Sequence, residues 1–362
     1  MAERCGVAFR RRSRLWGRGG GSPFATAQTR QTSAYEGSTV RTTAPTPIMT
    51  DFTVIVAHVD PGVSLLSCVD AIDRACRDVN GEIVVVQSAE IAAHAAPVSS
   101  TPLTMIRVAG GGLVPQLWAR GLAVAQGKYV AFTLANCEVS GNWASGMMAV
   151  LQSGASGVAG PIECARDVGL INRAIYYLRY SAFIPARATD ADVSGEIPGD
   201  NAAYRRDALD RHRELIADGF WEVLFHRKLR AEGGRLRTCR GGRVRFRGGV
   251  GLRQALRHRF AHGRHFGAWR VADGQRRWWQ IGAAAVPLLL MIRAGLRVVG
   301  SPVDRWAFVT TIPIFLTVAT AWALGEVVGA MSGPRLPVVR QADAEFAGVA
   351  HGAAETTTAA MR

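Results

Sequence analysis

Lysine is almost missing from this sequence. Lys128 and Lys228 are the only two among 43 basic residues, so nearly all the positive charge is arginine. Acidic residues are scarce as well, 28 against 43, and the 362-residue chain carries a formal charge of +15. That balance disfavours cationic partners. It favours phosphorylated substrates, nucleic acid or an acidic membrane surface, while a genomic bias toward arginine codons would account for the Arg-to-Lys ratio alone. Paired cysteines are missing too. The six cysteines are scattered, with no Cys-x-x-Cys pair and no Cys/His cluster at metal spacing, which excludes a zinc ribbon and a disulfide scaffold. Cys68 and Cys76 are two helical turns apart on one face, as in a reduced, cytosol-facing domain. Helix-turn-helix and aromatic-interleaved basic motifs are also absent, so no nucleic acid is expected despite the charge.

What is present is uneven along the chain. Residues 1–49 are rich in Arg, Ser, Thr, Ala and Gln and have almost no apolar periodicity, the composition of a disordered leader. Two accounts fit: a transit-like segment, or a start at Met49. Apolar patterning begins at once after it. FTVIVAH (52–58), GEIVVVQS (81–88), TMIRVAG (104–110) and KYVAFTL (128–134) are continuous buried-type strands. Helical patterns fill the gaps from Ser64 to Val79 and from Val114 to Gly127, the latter with Gly127 as a C-cap. This alternation predicts an α/β domain with a mostly parallel sheet over residues 50–265. In such sheets ligands bind beyond the carboxyl ends of the strands. Later, VAGPIE (158–163) reads as one more strand, and GEIPGDNAAYRRDAL (195–209) as a loop entering a helix. Residues 218–236 read as a helix with Phe220, Val223, Leu224 and Leu229 inward.

Residues 266–335 form a separate basic and hydrophobic region, and 336–362 an Ala/Thr-rich tail of disordered type. ALRHRFAHGRHFGAWR reads as an amphipathic helix with an Arg- and His-rich face. Ile281 to Ile292 is short for a bilayer core of about 30 Å; it fits an interfacial segment or half a hairpin. Trp306 to Leu324 runs 19 residues without a charge and is a transmembrane candidate. The basic stretch before it places the main domain in the cytoplasm by the positive-inside rule. A buried helical hairpin in a soluble protein is the other account.

Several landmarks together resemble the family 2 glycosyltransferases over about residues 52–265. VIVAHVDPG is similar to that family's opening strand and loop. LVPQLWARGLAVAQGKYVAFTLANCEVSGNW is similar to its middle block, in which a helix feeds the strand carrying an Asp-x-Asp motif. PGDNAAYRRDAL resembles the acceptor-side loop, GFWEVLFHRKLRAEGG the helix bearing the catalytic carboxylate, and WALGEVVGAMSGP the membrane-proximal ending of bacterial members. The resemblance implies a GT-A fold, Rossmann-like, with a C-terminal hydrophobic helical membrane segment. It implies transfer of a sugar from a nucleotide-diphosphate sugar to a lipid-linked or glycan acceptor of the cell envelope, beside an anionic membrane. It places the base at Glu222 and the acceptor contacts at Asp200, Asn201 and Trp221. Donor and diphosphate contacts fall at Ala57, His58, Asp60, Ser88 and Asn136. As plain local structure, Glu222 would be a first-turn carboxylate and Asp200–Asn201 a turn.

The departures from that pattern share a direction. The Asp-x-Asp motif falls on Leu134-Ala135-Asn136, where only Asn136 keeps an oxygen ligand. Mg2+ or Mn2+, which the family implies, would have Asn136 and at most Glu138 to hold it, and a neutral amide binds a hard cation weakly. The family's late histidine falls within RVRFRGG on Arg243, Arg245, Phe246 or Arg247. Guanidinium groups neutralise a diphosphate bidentately without a metal, so Arg243, Arg245 and Arg247 are the expected substitutes for the cation; anionic lipid is their other plausible partner. QRRW (275–278) is one residue short of a Gln-x-x-Arg-Trp signature and is set aside. The alternative to an enzyme is a catalytically degenerate scaffold subunit in membrane polysaccharide assembly.

Overall fold

The computed structural model describes residues 50–91, 97–109, 112–272 and 283–332. The expectations for residues 1–49, for QRRW and for the tail lie outside the described residues. Everything described belongs to one unit, Ile48–Arg362.

The apolar runs become strands where expected: β1 (Phe52–His58), β2 (Gly81–Ser88), β3 (Leu103–Val108) and β4 (Tyr129–Leu134). All seven residues of β1 and all six of β4 are buried. Such strands must be covered on both faces, and each buried Val, Ile or Phe contributes about 1.5–3 kcal/mol. The cover comes from α1 (Leu65–Ala75), α2 (Val114–Val124) and α3 (Trp143–Gln152). Helix α2 starts with Pro115 in its first turn, and the Gln116 side chain accepts the Leu113 N–H at 2.8 Å. It ends at Val124, so Gly127 is not its cap. Gly127 instead packs against the start of β1, where a Cβ would lie 2.5 Å from the Thr53 nitrogen.

The large sheet has seven strands in the order β3-β2-β1-β4-β8-β6-β9, with β5 (Cys137–Val139), β6 (Gly157–Ala159), β7 (Ile162–Cys164), β8 (Asn201–Arg205), β9 (Leu236–Thr238) and β10 (Val244–Phe246) completing the set. Only β8 runs against the rest. The fold is thus mixed α/β with a mostly parallel central sheet flanked by helices. Chain order moves from β1 outward through β2 to β3, then returns to the other side of β1 with β4. That reversal opens a crevice at the carboxyl ends of β1 and β4, where open α/β sheets bind ligands.

Two expectations change here. VAGPIE is two strands, because Gly160 and Pro161 break it: β6 joins the large sheet, and β7 joins a small one ordered β5-β10-β7. GDNAAYRRDAL contains strand β8, since its apolar residues pair antiparallel with β4, Thr133 opposite Asn201. Two short helices follow, α5 (Arg206–Arg211) and α6 (Arg213–Ile216), and then α7 (Glu222–Ala231). Helix α7 buries Phe225, His226 and Leu229, while Val223 faces out.

The C-terminal third is helical: α4 (Leu170–Tyr180) from the main domain, α8 (Leu252–Ala272), α9 (Val286–Val298) and α10 (Pro302–Ser332). Helix α8 runs unbroken across the expected boundary at residue 265. Gly248 and Gly249, with φ of 76° and 92°, make the left-handed turn that launches it. Helices α9 and α10 form a hairpin, the second of the two arrangements that suit the first apolar segment. Among the described residues, α10 alone is long and apolar enough to cross a membrane. Its seam with α8 is made of backbone. A Cβ on Gly263 or Gly267 of α8 would lie 2.1 and 2.0 Å from the carbonyl oxygens of Trp322 and Glu326. A Cβ on Gly325 or Gly329 of α10 would lie 2.1 and 1.8 Å from those of Phe260 and Arg264. The register advances by four residues on both helices together, so they run parallel as two facing Gly-x-x-x-Gly faces. Arg270 and the fully buried Glu326 close the seam at 2.7 Å.

Candidate functional site

The carboxyl ends of β1 and β4 frame a recess lined by Ala57, His58, Val59, Asp60, Val63, Leu134, Ala135 and Asn136. Four of the expected donor residues therefore do come together. Ser88 does not join them: it ends β2, is buried, and accepts the Glu90 N–H through its hydroxyl at 3.4 Å. His58 is buried with Nε2 3.2 Å from the Val63 carbonyl. Burial pushes the Asp60 carboxyl up to about 6, against the opposing pull of Arg179. His258 Nδ1 of α8 approaches Asp60 at 3.6 Å, and Gln254 donates to the Val59 carbonyl at 3.3 Å. The first turns of α8 thus lie across the loop after β1.

The Asp-x-Asp position does not fit a divalent metal. Leu134 and Ala135 are buried aliphatic residues of the core. The Asn136 carbonyl accepts the Arg247 N–H at 2.8 Å, and its side-chain oxygen faces the Cys137 thiol at 3.7 Å. Glu138 is turned to Arg247 at 3.5 Å, so it does not replace the lost carboxylates. Among the described residues no group of three or more His, Cys, Asp or Glu is placed to hold a metal ion.

Arg245 of β10 and its flanking arginines, Arg243 and Arg247, project from the small sheet and already face carboxylates. Arg243 is 3.8 Å from Glu163, and Arg247 is 3.5 Å from both Glu138 and Asp167. Arg245 lies in register between Glu138 and Glu163. Their side chains are exposed at the surface of that sheet.

A different set of groups gathers between β8, α7, α4 and α8. Asp200, just before β8, is buried; it accepts the Tyr180 hydroxyl at 2.5 Å and pairs with Arg179. Asn201 is fully enclosed. Its amide accepts from Trp143 Nε1 at 2.8 Å and donates to the carbonyls of Pro161 and Gly242, so its polar atoms are committed inside the protein. Glu222 opens α7. A Cβ on Gly199 would lie 3.2 Å from the Glu222 carboxyl carbon, which puts that carboxyl directly against the Gly199-Asp200 turn. Burial, and then the charge of Asp200, push Glu222 up to about 7. One turn on, buried His226 lies 2.6 Å from the Tyr204 hydroxyl and 2.6 Å from Glu196. Burial lowers its pKa, so the neutral ring with its proton on Nδ1 satisfies both partners. That network fixes α7 and with it the pose of Glu222.

Trp221 stacks on His265 with ring centroids 4.3 Å apart and 8° between planes. With Glu222, His262, Phe266 and Trp269 it lines a second, mainly apolar recess. Burial drives His262 down to about 3, so it stands neutral, and its Nδ1 accepts from Trp322 of α10 at 3.3 Å.

Sequence reasoning missed Arg179, Tyr180, His258, Arg259 and His262. The signal was faint: LRY closes an aromatic helix, and RHRFAH is the face already marked as Arg- and His-rich. Neither pattern states that the two segments meet.

No family model and no curated protein sequence matches the chain. Solved structures do. A crystal structure of S. aureus TarS 1-349 in complex with UDP is 13% identical, covers 76% of this chain and 92% of its own, and superposes with a TM-score of 0.39. The same S. aureus TarS 1-349 without UDP gives 13%, 76%, 92% and 0.37. At that identity and those scores no chemistry is carried across.

Proposed function

We propose that this chain is a glycosyltransferase. It takes a sugar from a nucleotide-diphosphate sugar and gives it to a hydroxyl of a lipid-linked or cell-envelope glycan, without a divalent metal. The observation that carries this is Glu222: a carboxyl raised to about 7, held by α7 against the Gly199-Asp200 turn beside the strand-end crevice. A base poised near neutrality is what removal of a hydroxyl proton needs. The acceptor oxygen attacks the anomeric carbon, its proton passes to Glu222, and the bond to the diphosphate oxygen breaks. The recess at Ala57, His58, Asp60 and Asn136 receives the nucleotide. The Trp221 recess receives the acceptor, with Asp200 holding the turn between them.

Membrane attachment follows from surface chemistry. Leu288, Leu289, Ile292 and Leu296 of α9, with Trp306, Leu324, Val328 and Met331 of α10, are exposed apolar side chains in one helical hairpin. An apolar surface of that kind belongs against lipid or another apolar partner. The arginines of α8 and its flanks suit an anionic headgroup layer, which leaves the α/β domain on the cytoplasmic side. A second reading, a binding subunit without turnover, is favoured by Leu134 and Ala135 at the former metal position.

The test uses the full chain in detergent with UDP- and GDP-sugars and excess EDTA. Donor hydrolysis or transfer by the native protein, lost in Glu222→Gln with nucleotide binding kept, supports the enzyme. Nucleotide binding with no turnover supports the scaffold. No nucleotide binding with or without manganese would falsify the glycosyltransferase reading.

A further inference from the structure

Arg259 differs from the arginines around it. Arg179 pairs with Asp200, Arg230 with Glu196 and Arg270 with Glu326. Arg259 is half-buried on α8, and no hydrogen bond or ion pair ties it to any described residue. Its strongest electrostatic neighbour is another cation, Arg179, with Tyr180, Asp200 and Glu222 farther off in effect. Burial and Arg179 together pull the guanidinium down to about 10. A half-sheltered charge pressed toward a like charge is costly unless an anion joins it. The local carboxyls do not supply that anion. Asp200 is shared by Arg179 and Tyr180, Asp60 faces His258, and Glu222 holds a proton for much of the time at neutral pH.

Arg179 itself is only partly used. One nitrogen meets Asp200, and a quarter of its side chain remains open to solvent. It acts electrostatically on Asp60 at the recess, on Cys137 just past Asn136, and on Glu222. Through Asp200 it is tied to the turn against which the Glu222 carboxyl lies.

We infer that Arg179 and Arg259 together form the seat of the donor diphosphate, doing from α4 and α8 the work a metal does in a carboxylate site. This rests on the glycosyltransferase reading above. Guanidinium forks match phosphate oxygens bidentately. When the bond from the anomeric carbon to the diphosphate oxygen breaks, the electron pair stays on that oxygen, opposite the two guanidinium groups. The proton of the attacking hydroxyl goes to Glu222 on the other side.

The experiment is titration calorimetry of the full chain in detergent with UDP and with GDP, in excess EDTA, and with UMP as the monophosphate control. Native protein is expected to bind at least one diphosphate without metal and to hold it at least about tenfold tighter than UMP. Arg259→Gln is expected to weaken diphosphate binding by about 10–100-fold, the range for charge-assisted hydrogen bonds. Arg243→Gln, on the small sheet, is expected to bind as the native protein does. If Arg259→Gln loses its far-UV signal, Arg259→Lys takes its place, with about tenfold weakening expected because the fork is lost. Unchanged affinity in the folded variant overturns the inference. So does binding that needs manganese, and that outcome leaves the glycosyltransferase reading intact. Absence of nucleotide binding under all conditions takes both down.

Discussion

Two groups of arginines can be compared in this molecule. Arg243, Arg245 and Arg247 lie in and beside β10 in one short stretch and are conspicuous in the sequence. Each faces carboxylates of the adjoining strands or loop, Glu138, Glu163 or Asp167. Arg179 and Arg259 lie eighty residues apart, on α4 and α8, and no motif joins them. Yet those two guanidinium groups act on each other electrostatically, Asp200 pairs with Arg179, and among the described residues Arg259 has no hydrogen bond or ion pair. The difference teaches that the number of charges in a segment says little about binding. What matters is how many are left uncompensated after folding, and where.

That comparison can be tested from several sides. The largest effect is expected beside the uncompensated pair: Glu222→Gln should lower the turnover number by about 10²–10⁴-fold, the span of general-base contributions. Steady-state rates with a UDP- or GDP-sugar measure it, and a loss under threefold would remove Glu222 from the chemistry. Next comes the seat of Arg259. Gly325→Val puts side-chain carbon where the Phe260 carbonyl stands, and overpacking of this kind costs about 1–3 kcal/mol or more. The melting temperature should fall, and diphosphate affinity should fall with it, because α8 carries Arg259. A drop in stability with affinity unchanged would separate the seam from the site.

A smaller effect is expected from pH. Burial raises Glu222 from 4.5 to about 7 and Asp60 from 3.8 to about 6. A carboxyl raised on folding supports the fold fully below its unfolded value, and that support is lost as pH climbs through the folded value. Stability should therefore decline from about pH 4 to about pH 7 on account of these two groups. Glu222→Gln should flatten the melting-temperature profile across that window, and an unchanged slope would contradict the raised value. The smallest effect belongs to the compensated group. Arg243→Gln and Arg247→Gln break exposed pairs worth about 0–1 kcal/mol. Diphosphate affinity should stay within about twofold of native, and a larger loss would return the anion site to β10.

Much of the main sheet was legible because fully buried parallel strands read as continuous apolar runs, and β1, β2 and β4 fall within a residue of the pattern. Strand β8 was not, because NAAYR is short and begins at a Gly-Asp-Asn turn whose local chemistry dominates the pattern. Glu222, Asp200, Asp60 and Asn136 could be singled out one by one from the family resemblance. Their company could not. Arg179 meets Asp200 because α4 packs beside the start of β8, and Arg259 arrives because Gly248 and Gly249 turn the chain back across the loop after β1. Both are long-range outcomes of packing. Leu134 and Ala135 stand in the core as their aliphatic character implies, and the arginines named from the sequence, Arg243, Arg245 and Arg247, face carboxylates on the small sheet.

One further consequence comes from the glycine seam. Helix α8 is a rod of 21 residues, and its halves have different neighbours. From Phe260 onward it is locked to α10 backbone to backbone; before it, Gln254 and His258 reach the loop after β1. A stiff rod clamped at one end is a lever. Gln254, which holds the Val59 carbonyl, lies about 9 Å along the axis from Phe260 at 1.5 Å per residue. A tilt of about 8° at the seam would shift it by about 1 Å, a displacement that can cost a catalyst about 10²-fold. Bilayer thickness, which sets the tilt of an apolar helix such as α10, would then be felt mechanically at the loop after β1.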